Sequence, residues 1–431
     1  MSSAWRPPPP FVFAAAVLAA IVLSPTPSID DDSIRTPPLP PALIRVGDRA
    51  LTSSAWRDTN EALRCWLHSG RWARAGSAHA EGADLLPPLY NPDIPAGMRA
   101  GGHFLHLYSE ETCAPLQQKR GLDLLWAVPR SCERVPAFSP AAMCQVMRGR
   151  TLMLIGDSIT VGHFETMLQA MNHGRPAWDG SYASLGTFVH PPGAWDYAAE
   201  NENPVVEHRY AFCRDELGAG AAAAPFSLML TVNWNFEGYE PSARPSLTYE
   251  SAYWATNRQF LKREHDAHGL VLVVNRGARW EEDAVVDRDF AAFLQMVHED
   301  LPNATVLFRA TNVPHAQCQQ YSDPPPGSPP FEPSAYEFID ETEHPEWHWG
   351  EMASQSQRIV QPLVEAARDP AAVFLDVAPS TRSRPDQHRR HPPSWQPDCL
   401  HFCIPSPVVD LWVHIVFGTL RLIDEAAATN S

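Results

Sequence analysis

A serine, a histidine and an aspartate carried in two short strings would suffice for acyl transfer. The first string, Gly156-Asp157-Ser158, directly follows an apolar run, and the second, Asp398-Cys399-Leu400-His401-Phe402-Cys403, lies near the C-terminus of the 431-residue chain. Ser158 offers a nucleophile and His401 a base, while Asp398 offers the carboxylate that would hold the imidazole tautomer and support the imidazolium. An Asp and a His on one short turn can meet, which relieves the fold of bringing the carboxylate from a third strand. A zinc site built on Cys399, His401 and Cys403 would need further ligands that the cysteine pattern does not offer, so no metal is expected.

Such a nucleophile needs an element that exposes it. The run at 151–155 reads as a buried strand, and Ile159, Val161, Phe164, Met167 and Leu168 have helical spacing, so Ser158 is expected at a strand-to-helix turn. There a side chain stands at the carboxyl end of a sheet beside the unpaired N–H groups of a helix start, where an oxyanion can be held. Further strand candidates are 228–232, 270–274, 304–308 and 372–376. Between them Phe290, Phe293, Leu294 and Val297 mark one amphipathic helix and Ile359, Val360, Leu363 and Val364 another. Strands alternating with helices imply a mostly parallel α/β sheet covered on both faces, with ligands outside the carboxyl ends of the strands.

That rule collects more polar residues on the same rim. Asn275-Arg276-Gly277 follows the third strand, and Arg309 ends the fourth, ahead of Asn312 and His315. Asn275 and Gly277 are candidate oxyanion donors, or simply the turn residues that commonly follow a strand. Arg309, a guanidinium at the end of an apolar strand, needs a partner and reads either as a structural ion pair or as an oxygen-binding group. Trp178, Trp195, Trp234 and Trp280 could stack on sugar faces or anchor loops.

The net charge of −17 excludes nucleic acid as a partner, since phosphate binding needs clustered Lys and Arg. The 43 prolines are about twice the ordinary share and point to long ordered loops. Residues 11–23 form an uninterrupted apolar stretch that would span only about 20 Å as a helix, against a bilayer core of about 30 Å, so 1–24 reads as a signal peptide or a signal anchor. A Pro-rich stem follows at 25–43, then a loop-rich, cysteine-containing region at 44–150 without clear helix or strand period, then the main body at 151–425. Eight cysteines without C-x-x-C spacing fit disulfides in a secretory compartment, and Asn303-Ala304-Thr305 is a glycosylation sequon.

Six pieces in order resemble the trichome birefringence-like and PC-esterase proteins, a group within the wider GDS-type serine esterases and acyltransferases. They are Cys65 with Gly70-Arg71-Trp72 and Pro88-Leu89-Tyr90; Trp126 through Cys132 with Pro136 and Phe138; Leu152 through Ser158; Asn275-Arg276-Gly277 with Trp280; Phe308-Arg309 with His315; and 398–403 followed by Pro405, Asp410 and Trp412. The resemblance implies a three-layer α/β/α fold like that of the SGNH hydrolases, preceded by a disulfide-rich cap. It also implies an O-acetyltransferase acting on polysaccharide hydroxyls in the Golgi, anchored as a type II membrane protein, or secreted if the N-terminal segment is cleaved. Ser158, His401 and Asp398 match the family's nucleophile, base and carboxylate. An acetyl donor and a polysaccharide or oligosaccharide acceptor would be the co-substrates, with no resident cofactor. Cys318 and Cys113 are the candidate partners of Cys399 and Cys403.

The chain also departs from the pattern. Val161-Gly162-His163 replaces a polar Arg-Asn-Gln stretch, Ala278 a His, and Phe402 a Trp. These changes leave the three chemical groups intact and bear on donor and acceptor specificity. A deacylase using the same groups and a wall-polymer binding protein with a retired site are the alternatives.

Overall fold

The computed structural model describes residues 44–46, 49–51, 53–74, 76–77, 80–89, 124–171, 208–213, 226–232, 252–276, 282–318, 348–367, 372–391, 396–404 and 406–429. The strands among them, in chain order, are β1 (Ile44–Val46), β2 (Arg49–Leu51), β3 (Arg71–Arg74), β4 (Ala83–Leu85), β5 (Leu124–Pro129), β6 (Thr151–Gly156), β7 (His208–Phe212), β8 (Phe226–Val232), β9 (Leu270–Val274), β10 (Thr305–Arg309), β11 (Ala372–Leu375), β12 (His388–His391) and β13 (Gln396–Phe402).

The five apolar runs become five parallel strands. They lie in the order β11-β10-β9-β6-β8, with β7 added antiparallel at the β8 edge. Every residue of β6, β9, β10 and β11 is buried, as strands covered on both faces require. Alternation along each strand divides the side chains between two cores. Leu152, Leu154, Val271 and Val273 pack on one face with Phe164 and Leu168 of the helix Ser158–Met171 and Val416 and Leu420 of the C-terminal helix Pro407–Thr429. Met153, Ile155, Leu272 and Phe308 pack on the other with Phe290 and Phe293 of the helix Asp283–Asp300. The result is the expected three-layer α/β/α body.

The region at 44–150 is more regular than its sequence promises. It holds a helix at Ser53–His68, an antiparallel sheet in the order β3-β5-β4, and a helix at Pro140–Met147 that Ser139 caps by accepting from the Ala142 N–H. Strands of three to six residues offer too few alternations to show a period. Their order comes instead from large side chains: Trp72 and Trp126 oppose each other across β3 and β5, edge to face at 5.1 Å. Trp66 and Trp126 share one core with the sheet residues, so this region is not a separate lobe. The disulfides Cys65–Cys132 and Cys144–Cys213 fasten it. Residues 11–23 and the Pro-rich stem lie outside the described residues, among which no helix is long and apolar enough to cross a membrane.

Chain order and spatial order disagree at one place in the sheet. After β6 the chain moves to β8 on one side and then crosses to β9 on the other. Such a reversal leaves a crevice at the carboxyl ends of the two strands, because the loops leaving them diverge. Gly156-Asp157-Ser158 leaves β6 and Asn275 leaves β9 at that crevice.

Candidate active site

Ser158 is the first residue of its helix, and Asp157 prepares the turn before it. The Asp157 Oδ1 accepts from the Ile159 N–H at 2.9 Å, and its carbonyl accepts from the Thr160 and Val161 N–H groups at 2.9 and 3.1 Å. Among the described residues nothing accepts the Ser158 N–H, which leaves it as a donor at the positive end of the helix. Gly156 is required by close approach: a Cβ there would run into the Thr160 Oγ1 and lie 2.7 Å from the Asn275 carbonyl oxygen. Gly156→Ala is therefore expected to cost about 1–3 kcal/mol of stability through overpacking. By displacing the turn it should also slow labelling of Ser158 by a fluorophosphonate about 10²-fold. Urea unfolding and labelling kinetics check the two parts separately.

Asp398 and His401 arrive on β13, outside the central sheet, and the strand carries a bulge that explains their spacing. His388 and Arg389 are neighbours on β12, yet their partners on β13 are Phe402 and Asp398. The intervening residues 399–401 are thrown out of the ladder, which folds His401 back over Asp398. The Asp398 Oδ1 accepts from the His401 N–H at 3.1 Å and the Leu400 N–H at 3.3 Å, closing the turn. The segment leaving β10 holds the bulge from outside: His315 N–H donates to the Cys399 carbonyl and Asn312 Nδ2 to the Leu400 carbonyl, each at 2.9 Å, and Cys318 is disulfide-bonded to Cys399. Cys403 is also in a disulfide, with its partner outside the described residues.

The two strings meet. His401 Nε2 lies 2.7 Å from Ser158 Oγ, and His401 Nδ1 lies 2.8 and 3.0 Å from the two Asp398 oxygens. With Nδ1–H donated to the carboxylate, Nε2 is left as an acceptor for the serine hydroxyl. Asp398 is 9% and His401 19% exposed at the side chain, so the pair is shielded and still reachable from solvent. Beside Ser158 a shallow recess with a free volume of about 10 Å³, open to solvent on one side, is lined by Ile159, Gly162, Phe402, Ile404, Val409 and Trp412.

Of the two roles open to Asn275 and Arg309, the side-chain contacts are those of the structural one. Asn275 gives its Nδ2 hydrogens to the Arg309 carbonyl at 2.8 Å and the Thr311 hydroxyl at 3.4 Å. It braces β9 against the β10 exit and has no side-chain donor left for an oxyanion. Arg309 is fully buried, its guanidinium 4.3 Å from the centre of the Trp412 ring and 3.4 Å from the Thr160 Oγ1. It sits beneath the nucleophile turn, out of contact with solvent, so it does not bind a substrate oxygen directly. Burial pushes its pKa down to about 9, opposed by the Asp157 carboxylate, and it remains a cation at neutral pH. Gly277 and the four tryptophans at 178, 195, 234 and 280 lie outside the described residues. Asn303 of the sequon is exposed.

The structure adds His388, which the sequence reading passed over. Its ring stacks on Phe402 at 4.5 Å, its Nδ1 lies 2.9 Å from the His401 carbonyl oxygen, and its Nε2 lies 2.7 Å from His315 Nδ1. His315 Nε2 in turn lies 2.7 Å from the Arg382 carbonyl oxygen. Nothing in the types or spacing of these residues announces the contact, because the bulge creates it. Desolvation pushes the His315 pKa down to about 3 and that of His388 to about 4. It also lowers His414 to about 4 and fully buried His163 well below its ordinary value.

These shifts fix a pH dependence. Each histidine binds its proton less readily folded than unfolded, so its contribution is complete above the unfolded value of 6.5 and is lost as pH falls toward the folded one. Asp410 works in the opposite sense, since burial raises its carboxyl from 3.8 to about 7 and stability is lost as pH rises through that window. Each group has a limiting slope of about 1.4 kcal/mol per pH unit, and the histidines outnumber the aspartate. The unfolding midpoint is expected to fall between pH 6.5 and 5, as differential scanning calorimetry would show. A flat profile would mean that these rings are solvated.

Comparison with known proteins adds a family. Residues 247–419 match the model of PC-Esterase, described as the GDSL/SGNH-like acyl-esterase family found in Pmr5 and Cas1p. The matched stretch contains Asp398 and His401 and begins after Ser158. Along most of its length the chain is similar to a probable xylan O-acetyltransferase 9 of Oryza sativa subsp. japonica, with 24% identity over 422 residues covering 89% of this chain and 85% of the relative. Xyloglucan O-acetyltransferase 4 of Populus trichocarpa is 22% identical over 370 residues, covering 79% of this chain and 81% of the relative. A probable xylan O-acetyltransferase 10 of Oryza sativa subsp. japonica is 20% identical over 326 residues, covering 68% and 67%.

Proposed function

The chain belongs with the PC-esterase and trichome birefringence-like proteins, and on that premise we propose that it is a polysaccharide O-acetyltransferase working through an acyl-serine. The observation that carries the mechanism is the 2.7 Å contact of Ser158 Oγ with His401 Nε2, backed by Asp398 on Nδ1. Ser158 attacks the acyl carbonyl of the donor while His401 takes its proton. The tetrahedral oxyanion receives the Ser158 N–H, and its collapse expels the donor's leaving group, which His401 protonates. His401 then takes the proton of a sugar hydroxyl as that oxygen attacks the acyl-serine. Collapse releases the O-acyl sugar and returns the proton to Ser158.

Catalysis in a secretory lumen, with the segment at 11–23 holding the chain in the Golgi membrane, is part of the same proposal. It is supported by the absence of free cysteines among the described residues. Water can replace the sugar hydroxyl with no change in the chemical groups, so a deacylase is the second reading, favoured by the partial exposure of His401.

The test uses the full-length protein with labelled acetyl donors and a panel of polysaccharide oligomers, and Ser158→Ala alongside. Label on an oligomer only with Ser158 intact supports the transferase and names its acceptor. Acetate release from pre-acetylated oligomers without transfer moves the reading to the deacylase. Retention of the biological effect in Ser158→Ala would instead indicate a polymer-binding protein.

A further inference from the structure

Arg309 is fully buried, yet among the described residues no carboxylate lies within ion-pairing distance of it. Its guanidinium meets the Thr160 Oγ1 and the Ala310 carbonyl oxygen at 3.4 Å each and lies over the Trp412 ring. Burying a cation without a bonded carboxylate is costly, and an apolar side chain of similar length would pack such a position without that cost. The charge therefore calls for a reason beyond packing.

The reason lies one residue before the nucleophile. Asp157 is 5% exposed, and its Oδ1 accepts from the Ile159 N–H, so an oxygen acceptor is needed there to start the helix. The same carboxylate sets a negative charge beside the Ser158 N–H, where the oxyanion of acyl transfer would form, and the two negative charges repel. Arg309 reaches this turn from beneath, through Thr160, whose N–H donates to the Asp157 carbonyl. Asp157 acts on Arg309 across the turn without touching it. The other titratable group facing Arg309 is His163, fully buried against Trp412 at 5.7 Å and held neutral by desolvation and by the guanidinium.

We propose that Arg309 is a positioning residue that acts on the reaction by its charge, offsetting Asp157 so that the potential at the Ser158 N–H favours an oxyanion. The inference rests on the acyl-serine reading above. The His401 imidazolium formed in the same step has its own counter-charge in Asp398. By the helical rise and the contact with Thr160, the guanidinium lies about 10 Å from the Ser158 N–H, where in an effective dielectric of about 20 a unit charge is worth about tenfold in rate.

The test compares the full-length wild type with Arg309→Met, Asp157→Asn and the two combined. Each is measured by kcat and KM on p-nitrophenyl acetate and by the rate at which a fluorophosphonate labels Ser158, with circular dichroism as the folding control. Arg309→Met should lower kcat and the labelling rate about tenfold and leave KM within about twofold. Asparagine keeps the oxygen that accepts from the Ile159 N–H and removes the charge, so Asp157→Asn alone should be no slower than wild type. Added to Arg309→Met, it should bring the rate back to within about threefold of wild type. If Arg309 only braces the turn, the double variant stays as slow as Arg309→Met, because the guanidinium contacts with Thr160 and Trp412 are missing from both. That result, an Asp157→Asn slower than wild type, or an Arg309→Met as fast as wild type would overturn the inference and leave the acyl-serine standing. Arg309→Gln, polar and uncharged, replaces Arg309→Met throughout should that variant not fold. No p-nitrophenol release and no labelling of Ser158 in the wild type would overturn the acyl-serine reading and this inference with it.

Discussion

Asp398→Asn is expected to lower kcat by about 10⁴-fold while the protein stays folded. The asparagine keeps a carbonyl oxygen where Asp398 Oδ1 now accepts from the Leu400 and His401 N–H groups, so the turn survives. What changes is the other oxygen, which faces His401 Nδ1 at 2.8 Å and becomes an NH₂ group. A donor there demands a bare Nδ1, which puts the imidazole hydrogen on Nε2, facing Ser158 Oγ. His401 then has no lone pair for the serine proton. The double variant Asp398→Asn/His401→Ala should be no slower than His401→Ala alone, because the three residues act as one unit. Near-isotropic additivity of the two losses would show that Asp398 serves the fold and not the imidazole. Steady-state kinetics with circular dichroism as the folding control decides this.

Removing the Cys318–Cys399 disulfide with the double alanine variant is expected to destabilise the protein and slow it together. The bridge closes a loop with a sequence separation of 81, for which the chain-entropy account gives about 4 kcal/mol. It also anchors the residue next to Asp398, within the bulge that turns His401 toward Ser158. Loosening that anchor should reduce kcat by up to about 10²-fold through misplacement of the base. The control is the Cys65→Ala/Cys132→Ala variant, whose bridge has a similar separation of 67 and no residue near the triad. Urea unfolding should place the two variants close together, and kcat should separate them. Equal kcat in both would mean that the hydrogen bonds from Asn312 and His315 suffice to hold the bulge.

The five parallel strands were legible because burial on both faces demands unbroken apolar runs, and 152–155, 270–274 and 372–375 are unbroken. The nucleophile turn followed from the run and the helical spacing after it. The C-terminal helix escaped for the opposite reason. Val408, Val409, Leu411, Trp412, Val413, Ile415, Val416 and Phe417 are all buried, as are the polar Asp410 and His414 between them. A helix covered on every side presents no amphipathic stripe. The helix Ser53–His68 does have one, in Ala62, Leu63, Trp66 and Leu67, but its first turns are polar. At the site, residue type singled out Ser158, Asp398 and His401, and for Asn275 and Arg309 it left a substrate role beside a structural one; the side-chain contacts of both run into the scaffold. His388 could not be found this way, since its place depends on a register shift that no local rule encodes.

The contact between His315 and His388 admits one more deduction, by counting hydrogens. The run from the Arg382 carbonyl through both rings to the His401 carbonyl contains three close approaches, at 2.7, 2.7 and 2.9 Å. Each needs one hydrogen between its two atoms, and two neutral imidazoles supply two. If His315 Nδ1 and His388 Nδ1 carry them, the His401 carbonyl is held and two lone pairs face each other at Arg382. If His315 Nε2 and His388 Nε2 carry them, Arg382 is held and the mismatch falls at His401. The backbone of the proposed base is thus fastened by a tie that can be made at only one end at a time, and moving both hydrogens across their rings exchanges the ends without any change in charge.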